Sequence, residues 1–153
     1  MMTDFQVDTR CIQWQKEAVN WREAIAVSAE PLVQNDYVAD SYVEAMISNI
    51  DELGPYILIA PNVALPHARP ENGVSRAGIS LTVFQEPVPF PADSEGSVKT
   101  ARVFICLAAV DSDSHLSMLQ KISGWIDDSN LMKDLLHAGS EDEVKQLLTS
   151  SQN

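Results

Sequence analysis

Apolar residues recur at helical spacing in two stretches near the start of the chain and three near its end, with three dense apolar runs between. Residues 10 to 15 read as a short strand. Asn20 then stands where a helix cap is needed and Glu23 where a capping box closes, ahead of Trp21, Ala24, Ile25, Ala29, Leu32 and Val33 on one face. A second helix is expected from Asp40 or Ser41 to Leu53, burying Tyr42, Ala45, Met46, Ile50 and Leu53, with Gly54-Pro55 as its stop. The strand-like runs are Tyr56 to Ala60 leading into Val63 to Leu65, then Ala77 to Gln85, then Ala101 to Val110. The last is almost unbroken in apolar residues, which predicts a central strand covered on both faces. Between the second and third runs, Glu86 to Thr100 carries Pro87, Pro89, Pro91, Asp93, Ser94 and Gly96 and reads as an exposed loop. A third helix should start at Asp113 or Ser114 and run to Asp127 over Leu116, Leu119, Ile122, Trp125 and Ile126. Ser129 is placed to cap a short helix through Leu136, and Ser140 with Glu143 to cap a last one through Leu148. Interleaved elements of these kinds predict an α/β three-layer sandwich, a mixed parallel and antiparallel sheet flanked by helices on both faces. With 153 residues, one domain spanning 1–153 is expected.

Charge narrows the choice of partners. Lys and Arg number 10 against 22 Asp and Glu, a net charge of -12, so a nucleic-acid partner is excluded on electrostatic grounds, and the acidity serves either plain solubility or the steering of a basic protein partner. No apolar run is long enough to span a bilayer, and Met1 to Arg10, with Asp4 and Asp8, does not read as a signal peptide. A cytoplasmic address is the resulting expectation. Cys11 and Cys106 are isolated thiols, with Cys106 expected as a small buried residue, and three scattered histidines offer no metal-ligand spacing. Ser80, Thr82 and Ser117 lack the surroundings of a nucleophile. Trp14, Trp21 and Trp125 fit faces of the predicted elements as core residues.

The distinctive chemistry lies at Ala64-Leu65-Pro66-His67-Ala68-Arg69-Pro70. Prolines on both sides limit where His67 points, and Pro66 biases Leu65 toward an extended backbone. An imidazole in water titrates near pH 6.5, so a neutral ring offers a nitrogen lone pair to an electrophile such as phosphorus. Phosphoryl transfer asks a protein chiefly to align the groups and stabilise the equatorial oxygens.

The run from Glu52 through Ile59-Ala60 and Val63-Ala64-Leu65 to Pro66-His67-Ala68 resembles, without a gap, a known phosphorylation-site signature. That signature belongs to the enzyme IIA components of the bacterial phosphoenolpyruvate-dependent sugar phosphotransferase system, in the mannitol and fructose superfamily. Gly54-Pro55-Tyr56, Ile59-Ala60-Pro61 and the run His67 to Val74 look like its ascorbate-specific branch. Ala108-Ala109-Val110-Asp111 and His115 extend the similarity along most of the chain. The resemblance implies that His67 accepts a phosphoryl group on Nε2 from the phosphohistidine of the carrier HPr. It implies onward transfer to a cysteine of enzyme IIB, which serves the membrane enzyme IIC, with no cofactor and no metal. His115 stands where the family carries a second active-site histidine, suited to contact the phosphoryl oxygens near a helix N-terminus. The mannitol branch has an arginine sixteen positions before the active histidine, and here that position is Asp51. Arg69 is therefore the candidate cation, since a guanidinium can pair with two phosphoryl oxygens, and Arg76 is the other arginine nearby. His137 reads as a helix-end residue. A partner-facing apolar ring is expected from Ala64, Leu65, Ala68, Ile59 and the loop near Val74. L-ascorbate is the sugar the branch implies. The rival is a nitrogen-type regulator phosphorylated on the same histidine, and beyond it a plain α/β binding module that is never phosphorylated.

Overall fold

The computed structural model describes residues 6–151, so Asp4 of the N-terminal stretch weighed above lies outside the described residues. In chain order the elements are β1 (Ile12–Gln15), α1 (Trp21–Gln34), α2 (Asp40–Leu53), β2 (Leu58–Ala60), β3 (Asn62–Ala64) and β4 (Gly78–Pro89). They continue with β5 (Thr100–Ala108), α3 (Ser112–Asp127), α4 (Ser129–His137) and α5 (Glu141–Ser151). The strands make one sheet in the order β1-β4-β5-β3-β2. β5 lies at its centre, antiparallel to β4 and parallel to β3, as its continuous apolar run predicts. Its side chains alternate between two cores. Val103, Ile105 and Leu107 pack toward α3, α4 and α5, while Phe104, Cys106 and Ala108 pack toward α1 and α2. Two separate cores on one sheet make the three-layer arrangement.

Five expectations are corrected. The run from Tyr56 to Leu65 is two strands, because Pro61 cannot donate to a ladder and Asn62 takes a left-handed φ of 66°, turning β2 back on β3. The segment from Glu86 is loop only in part: β4 continues to Pro89 and pairs with the start of β5 across an irregularity between Val83 and Val88. That irregularity makes room for the prolines. Val88 and Phe90 are buried there, with Phe90 stacked on Phe104 at 5.8 Å and on Trp21 at 6.1 Å between ring centroids. α3 starts earlier than expected, capped by Asp111 in a capping box with Ser114, and it buries Met118, Ile122 and Trp125. Leu116 is 57% exposed because it lies about 200° of helical rotation from Met118, off the buried face of α3, and Leu53, the last residue of α2, is 69% exposed at that helix's end. Finally, the cap of α4 is Asp128, whose carboxylate accepts from the Leu131 N–H, and not Ser129.

The remaining polar groups in the interior are satisfied. Ser80 Oγ donates to the Ser28 carbonyl at 2.6 Å and the Gln13 amide donates to Thr82 Oγ1 at 3.0 Å, so both hydroxyls have structural partners. Burial pushes the Cys106 thiol up, which leaves it an inert core residue. Trp125 is buried, whereas Trp14 and Trp21 are half-buried, and Trp14 donates its Nε1–H to the Ala138 carbonyl. Among the described residues no helix is long and apolar enough to cross a membrane.

Candidate functional site

The C-terminal part of α2, the segment after β3, the end of β5 and the first turn of α3 converge on a cleft of about 490 Å³. His67, Arg69 and His115, three residues singled out from the sequence, all line it. The segment that carries His67 is fixed from below. Leu65 N–H donates to the Ile57 carbonyl at 2.8 Å, and Leu107 N–H donates to the Pro66 carbonyl at 3.0 Å. Tyr42, fully buried on α2, then ties the next residue down: its hydroxyl accepts from the Ala68 N–H at 3.0 Å and donates to the Leu107 carbonyl at 2.7 Å. Burial raises the Tyr42 pKa, so the phenol stays a neutral donor.

His67 is half-buried, and its Nδ1 lies 2.7 Å from the Leu65 carbonyl oxygen. A carbonyl only accepts, so this contact selects the tautomer with the proton on Nδ1. Nε2 keeps its lone pair. Tyr56 steadies the other side, donating its hydroxyl to the His67 carbonyl at 3.2 Å and setting its ring edge-on to the imidazole at 5.4 Å.

His115 is the fourth residue of α3, exposed, and its ring makes no hydrogen bond among the described residues. The preceding turn presents a helix N-terminus to the cleft through Asp111 and Ser112. Asp111 accepts the Ser114 N–H at 2.8 Å, and hydrogen bonds from the Ser114 backbone and hydroxyl hold its carboxyl below the usual range. The N–H groups of Ser112 and Asp113 precede any intrahelical partner.

Arg69 is exposed, its guanidinium makes no hydrogen bond or ion pair among the described residues, and it is the cleft's single lysine or arginine among them. Arg76 is committed elsewhere: it donates to the Asn35 carbonyl at 2.6 Å and lies 4.1 Å over the Tyr37 ring. Asp51 faces away from the cleft and pairs with Arg22 at 2.6 Å. His137 sits at the end of α4, with Nδ1 2.8 Å from the Lys133 carbonyl. Among the described residues no group of three or more His, Cys, Asp or Glu could hold a metal ion.

The expected apolar ring is corrected in part: of its named members Ala68 lines the cleft. Ala64 and Leu65 are buried, and Ile59 faces a different hollow beside Val98. The exposed apolar side chains near the cleft are Leu53, Tyr56, Val110 and Leu116. Asn49 was missed by sequence reasoning; it lines the cleft one helical turn before Leu53, and an asparagine amid the polar face of a helix carries no signal of its own. Tyr42 was read as core, which it is, but its hydroxyl role is invisible to periodicity.

Residues 6–151 match the family model described as phosphoenolpyruvate-dependent sugar phosphotransferase system, EIIA 2. The mannitol-specific cryptic phosphotransferase enzyme IIA component of Escherichia coli (strain K12) is 35% identical over 132 residues, covering 86% of this chain and 87% of that protein. The ascorbate-specific PTS system EIIA component of the same organism is 34% identical over 150 residues, covering 96% and 94%. The solution structure of the Escherichia coli cryptic mannitol enzyme IIA superposes with a TM-score of 0.85 at 32% identity, covering 96% of each chain. A second solved structure, the complex of mannitol enzyme IIA with phosphorylated enzyme IIB from Escherichia coli, superposes with a TM-score of 0.75 at 26% identity over 95% of this chain and 98% of that one. With the family model spanning nearly its whole length, this chain belongs to the EIIA 2 family of the phosphoenolpyruvate-dependent sugar phosphotransferase system, a family of phosphoryl carriers.

Proposed function

We propose that the chain, as one domain over residues 1–153, takes a phosphoryl group from phospho-HPr on Nε2 of His67 and hands it to a cysteine of enzyme IIB. The observation that carries this reading is the 2.7 Å contact between His67 Nδ1 and the Leu65 carbonyl, which leaves Nε2 as the nucleophilic nitrogen. In the first step the Nε2 lone pair forms a bond to phosphorus while the P–N bond to the donor histidine breaks, and the donor imidazole retains that electron pair. The product ring is cationic as long as Nδ1 keeps its proton, and the Leu65 carbonyl stabilises it in that state. Such a ring is also a good leaving group. A cysteine thiolate of enzyme IIB then forms the S–P bond, the Nε2–P bond breaks, and His67 returns to its neutral Nδ1–H form. Neither step requires a metal or a cofactor. The equatorial oxygens have Arg69, the first N–H groups of α3 and His115 within the same cleft, an arrangement suited to charge that is already present before transfer and only redistributes during it.

The macromolecular substrates fit the surface. Leu53, Tyr56, Val110 and Leu116 supply an apolar rim for brief docking, and the net charge of -12 favours partners with basic faces. The complex of a related mannitol enzyme IIA with phosphorylated enzyme IIB supports enzyme IIB as acceptor here. L-ascorbate is the proposed sugar, on the strength of the branch-like motifs around Gly54 and His67 and of the ascorbate-specific relative, with the reaction on the cytoplasmic side. Incubation with phosphoenolpyruvate, enzyme I, HPr and purified enzymes IIB tests the proposal. Label should pass through this chain to a cysteine of an ascorbate-type enzyme IIB; a phosphoprotein that gives its label to no enzyme IIB would overturn the relay.

A further inference from the structure

We propose that the side-chain amide of Asn49 is a direct hydrogen-bond donor to the phosphoryl group on His67, a neutral ligand acting beside Arg69. This inference rests on the phosphoryl-carrier reading above. The last turns of α2 carry four polar residues, Ser48, Asn49, Asp51 and Glu52, and of these Asn49 lines the cleft. Residues 49 and 51 are separated by about 200° of helical rotation, so one faces the cleft and the other the opposite side. Asp51 is spent on Arg22, with its carboxylate bridged to the guanidinium at 2.6 and 2.7 Å. Asn49 lines the cleft with His67, Arg69 and His115, and its amide has no hydrogen-bond partner among the described residues. It is half-buried, on a rigid helix of 14 residues, and its neighbours Met46 and Ile50 are locked in the core. A half-buried amide on a rigid helix without a protein partner is a donor waiting for an acceptor.

The choice of amide over a cation has a consequence. A fixed guanidinium at this place would stabilise the phosphohistidine as well as the transition state and so slow its release to the next protein. A neutral donor holds the equatorial oxygens in line while adding little to the stability of the phosphorylated resting state. Asn49 gives up and takes on no proton in either transfer.

Single-turnover transfer from phospho-HPr, followed on the full chain, separates these roles. Asn49→Ala should slow transfer roughly tenfold or more, as expected for losing a hydrogen bond to a charged group. Asn49→Asp, of the same size, should be slower than Asn49→Ala by a further tenfold or so, because it sets a carboxylate against the phosphoryl oxygens. Asn49→Arg should lengthen the lifetime of the phosphohistidine and slow onward transfer to enzyme IIB, a readout that stands even if the aspartate variant folds poorly. Ala and Asp variants with equal rates, whether at the parent's value or equally reduced, together with an unchanged phosphohistidine lifetime in Asn49→Arg, would overturn the assignment. Failure of the underlying reading would look different: the unsubstituted chain would not be labelled at all.

Discussion

Removing the Tyr42 hydroxyl while keeping its ring isolates the fastening of the active-site segment. In Tyr42→Phe the buried Leu107 carbonyl loses its 2.7 Å bond and the Ala68 N–H loses its 3.0 Å acceptor, with little change in packing volume. Leaving a buried polar group unpaired costs about 1–3 kcal/mol, and the Ala68 N–H, being only partly buried, recovers some of its loss from water. The expected destabilisation is therefore about 2–3 kcal/mol, which for a domain of this size lowers Tm by roughly 4–12 °C. Function should suffer separately. Ala68 follows His67 directly, so releasing it loosens the imidazole, and a misplacement on the order of 1 Å can cost about 100-fold in rate. Thermal unfolding followed by circular dichroism gives the first quantity and single-turnover labelling by phospho-HPr, well below the variant's Tm, gives the second. A variant with the parent's Tm and labelling rate would refute the claim that this hydroxyl positions the site.

The two nearby arginines should behave oppositely: Arg69→Ala is expected to slow phosphoryl transfer by roughly 100-fold to 1,000-fold, as loss of an electrostatic donor does, while Arg76→Ala lowers Tm and leaves the transfer rate at saturating donor intact. Equal effects of the two would remove Arg69 from its role. Leu53→Asp and Leu116→Asp should raise KM for phospho-HPr with kcat nearly unchanged, whereas Val19→Asp, at a residue 82% exposed that does not line the cleft, should not. A shared KM effect in all three would point to net charge and not to the rim. Asp8 gives a pH signature: its Arg10 side-chain hydrogen bond, its largest influence, brings its pKa from 3.8 down to about 2. A depressed carboxyl contributes stability above the unfolded value and loses it as pH falls from about 4 to about 2. Denaturant titrations across that window should therefore show a shallower decline in Asp8→Asn than in the parent, and identical pH profiles would contradict the link.

Most of the architecture was legible because it follows from periodicity. The almost unbroken apolar run from Ala101 to Val110 reads as a strand covered on both faces, and most of it, through Ala108, is the central strand of the sheet. Where the reading failed, tertiary context outweighed the local pattern. Leu53 sits in phase with Tyr42, Met46 and Ile50 yet is exposed at the end of α2, and no helical period encodes where a helix runs out of partners, whereas Leu116 lies on the face of α3 opposite Met118, Ile122 and Trp125. The prolines at 87 and 89 spoke for a loop, but an irregularity in the ladder let β4 carry them. At the site, the histidines and Arg69 were legible as residue types in a familiar run, and the fold brings all three to one cleft. Counting back to Asp51 found the wrong side of α2, because linear distance says nothing about helical phase, and Asn49 emerged only from the packed helix. The protonated nitrogen of His67 was equally hidden, being set by a carbonyl two residues earlier.

The account turns on which nitrogen carries phosphorus. The chain should be labelled by phospho-HPr and kept alkaline, the modified residue located by mass spectrometry, and the ring atom assigned by ¹⁵N NMR. The phosphoryl group is predicted on Nε2 of His67 alone, with Nδ1 still bonded to the Leu65 carbonyl. Phosphorus on Nδ1 of that ring, or on His115 or His137, would contradict it.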